Sequence, residues 1–330
     1  MNPIRRLSVL IPCAVGAMLA AGAMSTASAA DKWNMATPYS DAEFQTRNVR
    51  LFAEDVKKAS NGELDITVHS AGSLIPGPNI KRGVQSGQVQ IGEIHLSNLG
   101  SEDRIFEIDA VPFLVNSYDD AAKLWKVSRP FVEARLKKQG IRVLYAVPWP
   151  FQGFFLKKEM NSLADVKGLK QRSYNALTTK LATMMGTVPT TVQAGEIPQA
   201  FATGIVQMVN TSATTGVTSK AWEFADRYYD ANAWASKNVV FVNEEAFAKL
   251  PAAVQKAVLD AAARAEARGW DLSKQANLDA PKVLAQNGMK IIPPSAALQK
   301  ELRAIGTTLT DEWTAATGAD GKALIDAYLK

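Results

Sequence analysis

Few residues in this chain are equipped for covalent or acid–base chemistry. Its 330 residues include two histidines, His69 and His95, and one cysteine, Cys13. The histidines lie in different segments, without a His-Glu-x-x-His, paired-cysteine or mixed Cys/His spacing. That leaves neither a zinc ligand set nor a cysteine nucleophile with its base. No G-x-x-x-x-G-K-[ST] phosphate loop, G-x-G-x-x-G turn or G-x-S-x-G elbow is present. Carboxylates are plentiful, and Glu102-Asp103 is an adjacent pair, but a polar loop accounts for it. Carboxylates alone can do acid–base work. No spacing assigns them to it, so no catalytic residue, metal or cofactor is expected.

Other residues suit binding better than catalysis. Arg172 lies in Leu169-Lys170-Gln171-Arg172-Ser173-Tyr174-Asn175, a strand-like run in which Lys170 and Arg172 share a face. A guanidinium grips a carboxylate through two parallel hydrogen bonds; an exposed edge-strand arginine is the plainer alternative. Trp149 stands between Pro148 and Pro150, which hold its backbone extended, and Phe151 follows. These rings could wall a pocket or fill a core turn. Trp222 is open to the same two readings. Asn210 and Thr211 close a predicted strand, where they could face a ligand or cap the next helix. A concave, largely apolar site with a few polar anchors is what such residues would build.

The elements that must position them alternate along the chain. Strands are predicted at 32–36, 64–68, 90–95, 141–147, 154–157, 169–173, 205–210, 239–243 and 291–292. Helices are predicted at 41–59, 118–139, 177–185, 197–202, 251–287, 296–314 and 320–329, several closed by a glycine such as Gly140, Gly186 or Gly288. This order implies an α/β protein of layered lobes. No glycine- or proline-rich linker divides it, so the chain should pass between lobes through structured segments.

Composition narrows the class. The chain is 47% hydrophobic and 21% charged, as a folded globular protein is, and one cysteine makes no internal disulfide. Residues 1–30 read as a secretory signal: Arg5 and Arg6, an apolar run over 7–23, then small residues favouring cleavage near Ala29-Ala30. Pro12 before Cys13 does not suit a lipidation site. Past residue 30 the 35 Lys+Arg and 32 Asp+Glu leave +3, too mild a charge for a nucleic-acid partner. An exported protein without catalytic groups reads as a binding protein whose lobes close on a ligand.

Four segments carry a resemblance. They are Ala110-Val111-Pro112-Phe113-Leu114 with Ser117-Tyr118-Asp119-Asp120-Ala121; Gly168-Leu169-Lys170-Gln171-Arg172; Val188-Pro189 through Glu196 and Ala200 to Gly204-Ile205-Val206; and Lys237 to Asn243 before a long helix. In their order and spacing the chain resembles, over residues 31–330, the DctP-like substrate-binding subunits of tripartite ATP-independent periplasmic (TRAP) transporters. The resemblance implies a two-lobed, periplasmic-binding-protein-like α/β fold with a cleft between lobes and a long helix crossing both. Lobe I would be 31–148 plus about 236–277, and lobe II 149–235 plus about 278–330. It implies a periplasmic monomer that captures an organic acid and delivers it to a small and a large integral membrane subunit. Arg172 matches the family's carboxylate-binding arginine, with Trp149, Phe151 or Trp222 covering the organic body, Asn175 close by, and Ser97 and Asn98 meeting the ligand on closure. Thr211 stands where many members carry a ligand-contacting asparagine, with Asn210 beside it. The segment 148–153 points to a monocarboxylate with an aromatic or apolar body, ahead of 2-oxo or hydroxy acids and C4-dicarboxylates. A periplasmic sensor module for organic acids is the alternative function.

Overall fold

The structure is a computed structural model and describes residues 30–330. The signal sequence expected over residues 1–30 lies, but for Ala30, outside the described residues. In chain order the first lobe opens with β1 (Asp31–Ala36), α1 (Phe44–Ala59), β2 (Leu64–His69), α2 (Ile80–Gln85), β3 (Ile91–His95), α3 (Tyr118–Lys137) and β4 (Ile141–Pro148). The chain then crosses into β5 (Gln152–Leu156), β6 (Lys170–Ser173), α4 (Ala176–Met184), β7 (Val188–Thr191), α5 (Ile197–Ala202), β8 (Met208–Ser212), α6 (Ala213–Thr218) and β9 (Arg227–Tyr229). It returns through β10 (Lys237–Asn243), α7 (Glu244–Lys249) and α8 (Ala252–Gln286), and ends in β11 (Lys290–Ile292) and α9 (Ala296–Leu329).

Two sheets result. One has the order β2-β1-β3-β10-β4, the other β11-β9-β5-β8-β6-β7. In the first, β10 runs antiparallel to both β3 and β4; in the second, β5 runs antiparallel to β8 and β9. Helices cover both faces of each. Phe44, Val49, Phe52 and Val56 of α1 pack with Val254, Val258, Ala261 and Ala265 of α8 on one face of the first sheet. Val132 and Leu136 of α3 join Ile80 and Val84 of α2 on the other.

The long helix α8 belongs to both lobes. Its first half packs on α1 and β4; its second half buries Ala280 and Leu284 in the second lobe. Small side chains permit this approach. A Cβ at Gly269 would lie 2.3 Å from Val147 Cγ2, so only glycine lets α8 rest on β4 there. Helix α9 also bridges. Trp313 donates to the Arg104 carbonyl (2.6 Å) and Tyr328 to the Leu114 carbonyl (3.2 Å) on the first lobe's side, while Glu301 accepts from the Leu163 amide (2.7 Å) on the other. Gly318, at φ +61° and ψ −136°, breaks α9 into the two helices expected from sequence.

Three expected boundaries move, and strand β7 was not expected. Helix α1 starts at Phe44 rather than residue 41, because Asp41 spends its carboxylate on Arg50 and Ser70 instead of on the helix. Strand β5 starts at Gln152 and not 154, its first amide donating to the Trp234 carbonyl (2.9 Å). Strand β8 covers Met208–Ser212, not 205–210: Ile205 is 48% exposed, and the Val206 amide turns back to the Ala200 carbonyl (3.1 Å). Strand β7, with Pro189 and a half-exposed Val188, is an edge strand that alternation does not reveal.

Candidate ligand-binding cleft

A cleft of about 340 Å³ opens between the lobes. It collects the C-terminal ends of strands from both sheets. From the first lobe come Pro38 and Tyr39 after β1, the turn with Gly72 after β2, and His95 and Asn98 at and after β3. From the second come Arg172 and Tyr174 at the end of β6, Gln193 and Glu196 after β7, Thr211 at the end of β8 and Thr215 in α6. Trp149 and Gln152 enter from the crossing between β4 and β5. Ligands of open α/β sheets gather at such strand ends.

Arg172 is 5% exposed. Its Nε donates to the Val192 carbonyl (2.9 Å) and its Nη1 to the Asn210 carbonyl (3.3 Å). A guanidinium has five N–H donors, so three remain after these two. Among the described residues no carboxylate forms an ion pair with it; Glu196, on the cleft rim, acts only at longer range. Burial pulls its pKa down to about 10, which leaves it cationic at neutral pH. The Tyr174 ring packs on the guanidinium with 4.6 Å from its centroid to Cζ, and meets His95 edge to face at 5.4 Å.

The walls are tied down from behind. Trp149 Nε1 donates to Asn238 Oδ1 (2.8 Å), and its ring stands edge-on to Tyr39 at 5.0 Å. Asn238 Nδ2 donates to Glu93 Oε1 (2.9 Å), whose other oxygen accepts from Thr37 (2.6 Å). His95 is buried; burial and the nearby Arg172 and Lys237 cations push its pKa down to about 3, so it is neutral.

Two hydrogen bonds span the cleft. Asn175 accepts from the Thr178 amide (2.9 Å) as N-cap of α4, which fixes its Nδ2 as the donor to Ser97 Oγ (2.8 Å) across the lobes. Ser97 Oγ also lies 2.8 Å from His95 Nδ1, and His95 Nε2 lies 2.7 Å from Ser236 Oγ, so both ring nitrogens are hydrogen-bonded. On the opposite flank Thr218 of α6 donates to Glu43 Oε1 (2.5 Å) in the loop before α1. Burial, reinforced by Glu93, raises the Glu43 carboxyl to about 7. Both contacts join one lobe to the other.

The residues singled out from sequence therefore separate. Arg172, Trp149, Thr211 and Asn98 line the cleft. Ser97 and Asn175 sit beneath its edge as the cross-lobe contact. Phe151 points into the core, edge-on to Tyr118 at 5.6 Å, its amide held by Asn277 Oδ1 of α8 (3.0 Å). Trp222 packs with Phe224 and Ala225 on the outer face of the second lobe, away from the cleft. Asn210 is fully buried and offers Arg172 its carbonyl, its side chain turned opposite to Thr211 by strand alternation. Sequence reasoning passed over Tyr39, His95, Gln152, Tyr174 and Thr215. Each lies at a strand end or just beyond one, and that position was the available signal.

Other parts of the surface are accounted for structurally. Glu102 pairs with Lys81, and Asp103 caps the turn after it and pairs with Arg135 (2.6 Å). His69 bonds Asn34 (2.8 Å). Among the described residues no group of three or more His, Cys, Asp or Glu side chains could hold a metal ion, and no helix is long and apolar enough to cross a membrane.

Two α/β lobes closed over a buried arginine define a solute receptor. The sequence model of bacterial extracellular solute-binding protein family 7 (DctP) matches residues 35–316, and the chain belongs to that family, the DctP-like substrate-binding subunits of TRAP transporters. Its members are periplasmic receptors rather than enzymes. The crystal structure of DctP7 from Bordetella pertussis, an extracytoplasmic solute receptor binding pyroglutamic acid, is 48% identical with a TM-score of 0.90, covering 91% of this chain and 100% of that one. DctP6 of the same organism, also binding pyroglutamic acid, is 43% identical with a TM-score of 0.89, covering 91% and 99%. A marine metagenome TRAP solute-binding protein specific for pyroglutamate is 39% identical with a TM-score of 0.89, again covering 91% and 99%.

Proposed function

We propose that this protein is the periplasmic receptor of a TRAP transporter for a small cyclic monocarboxylate of the pyroglutamate type. One observation carries the reading: Arg172 is buried, held by two backbone carbonyls, and left without a carboxylate among the described residues. An isolated buried cation is costly unless an anion joins it. The three free N–H groups suit a ligand carboxylate, and charge-assisted bonds of this kind contribute about 1.5–3 kcal/mol each.

The remaining lining supports a small ring. Pro38, Pro76, Ile94 and Trp149 supply apolar surface, and about 340 Å³ is near the lower limit for ligand pockets. The three relatives with pyroglutamate agree in ligand class. We assign lobe I to 31–148 plus about 236–277 and lobe II to 149–235 plus about 278–330; the strands of each sheet fall within these ranges. The ligand would favour closure by filling the site between lobes, with the Asn175–Ser97 and Thr218–Glu43 contacts completing the closed form. A small and a large membrane subunit would then receive it.

The test is a thermal-shift panel on protein freed of co-purified ligand by unfolding and refolding. It would hold pyroglutamate, aromatic acids, 2-oxo acids and dicarboxylates. At 100 times Kd a ligand adds about 2.7 kcal/mol, a shift of a few degrees. A shift with pyroglutamate that vanishes in Arg172→Ala is expected. A cooperative melt unmoved by any acid would overturn the proposal.

A further inference from the structure

Several polar groups of the cleft have their hydrogens assigned by their neighbours. Asn238 Oδ1 accepts from the Trp149 indole N–H at 2.8 Å. An indole N–H can only donate, so that atom is the amide oxygen, and the amide nitrogen faces Glu93 at 2.9 Å. The Tyr39 hydroxyl lies 3.1 Å from the same amide oxygen. An amide oxygen cannot donate, so Tyr39 spends its one hydrogen on Asn238. Asn238 and Glu93 are each 1% exposed, which shields this arrangement from exchange with solvent. Among the described residues no N–H or O–H donates to the Tyr39 oxygen. That oxygen is left with lone pairs only, in a residue that lines the cleft with Arg172.

The other fixed groups are closed off. Both nitrogens of His95 are taken, by Ser97 and Ser236, and the Trp149 N–H is taken by Asn238. Asn98, Gln152, Thr211 and Thr215 carry both donors and acceptors and can adapt to either. Gln193 and the Tyr174 hydroxyl can adapt too, and Glu196, an acceptor on the rim, already takes the Gln193 amide (2.8 Å). Beside Trp149 that leaves Tyr39, which can only accept, to complement Arg172, which can only donate.

We propose that Tyr39 is a specificity-determining residue: its hydroxyl oxygen accepts a hydrogen bond from an N–H on the body of the carboxylate ligand. The cleft thereby selects acids bearing such a hydrogen, as a lactam does, over lactones and oxo acids of the same shape. This rests on the receptor reading above and deepens it. A lactone would set a ring oxygen against the lone pairs of Tyr39, leaving a buried acceptor unpaired.

The experiment is calorimetric titration of refolded, ligand-free protein with pyroglutamate and with its lactone isostere, 5-oxotetrahydrofuran-2-carboxylate. Wild-type protein and Tyr39→Phe are compared; the substitution keeps the ring against Trp149 and removes only the hydroxyl. Wild type is expected to prefer the lactam by about tenfold or more. In Tyr39→Phe the lactam should fall to within about threefold of the lactone, itself little changed. The wild-type ratio tests the assignment even without the variant. Equal binding of the two acids by wild type, lost together in Arg172→Ala, would overturn the role of Tyr39 and leave the receptor reading standing. A preference retained in full by Tyr39→Phe would overturn it too. No binding of either acid by a wild type that melts cooperatively would overturn both.

Discussion

Arg172 is presented by its backbone neighbours. The Val192 and Asn210 carbonyls hold Nε and Nη1, so the planar fork reaches the cleft in one orientation. A lysine at this position has a single point of charge and cannot satisfy two carbonyls and a ligand carboxylate in the same plane. Arg172→Lys should therefore weaken ligand binding nearly as much as Arg172→Ala, by about 2–5 kcal/mol, measurable by calorimetry. Trp149 and Phe151 mark the limit of residue-level reading. The prolines around Trp149 signalled stiff backbone, but which of two rings two residues apart faces a cleft depends on the partner strand. Asn238 supplies the partner that keeps Trp149 at the wall. Residue type left Arg172 open between a carboxylate grip and an exposed edge-strand arginine, and the family resemblance gave it its expected role; neither could show that its guanidinium is buried and held by two carbonyls.

Long periodic elements were the most legible part of the fold. Helices α1, α3, α8 and the two parts of α9 follow their apolar spacing and their glycine stops, and β1 through β4 follow alternation or β-branched runs. Short elements were not: β7, β9 and the polar end of β8 are held by pairing with neighbours rather than by their own residues. Those same strand ends carry much of the second lobe's contribution to the cleft, so the fold could be read further than the site. Two expectations belong to this scale. Gly269→Leu would drive a side chain into Val147 and force α8 off β4, costing about 1–3 kcal/mol of stability in a denaturant melt. Asn175→Ala should cost about 1 kcal/mol through the lost helix cap. It should also weaken ligand binding, since Ser97 loses its donor from the opposite lobe. A variant with lowered stability and unchanged affinity would show that the cross-lobe bond does not contribute to closure.

The proposed closure would also carry a proton balance. The Glu43 carboxyl has an ordinary value of 4.5 and is raised to about 7 in the closed form, by burial first and by Glu93 at longer range; Thr218 and Arg47 oppose the shift. A raised carboxyl pKa means that the closed form holds a proton the open form releases. Ligand affinity should then increase as pH falls from about 7 towards 4.5, by at most about tenfold per pH unit, and level off on either side. Glu93 keeps its partners Thr37 and Asn238 within its own lobe, and His95, held near 3 by burial, Arg172 and Lys237, is neutral in the closed form. Titrations from pH 5 to 8 should show the slope in wild type and its loss in Glu43→Gln. The two segments that cross between the sheets, helix α8 and the doubly anchored α9 leave the lobes little liberty to slide or twist past each other. In mechanical terms the proposed receptor would be a jaw on a broad pin, with one permitted stroke. Its outline would then report a single variable, open or shut, and any surface docking against it could register the presence of cargo without ever touching it.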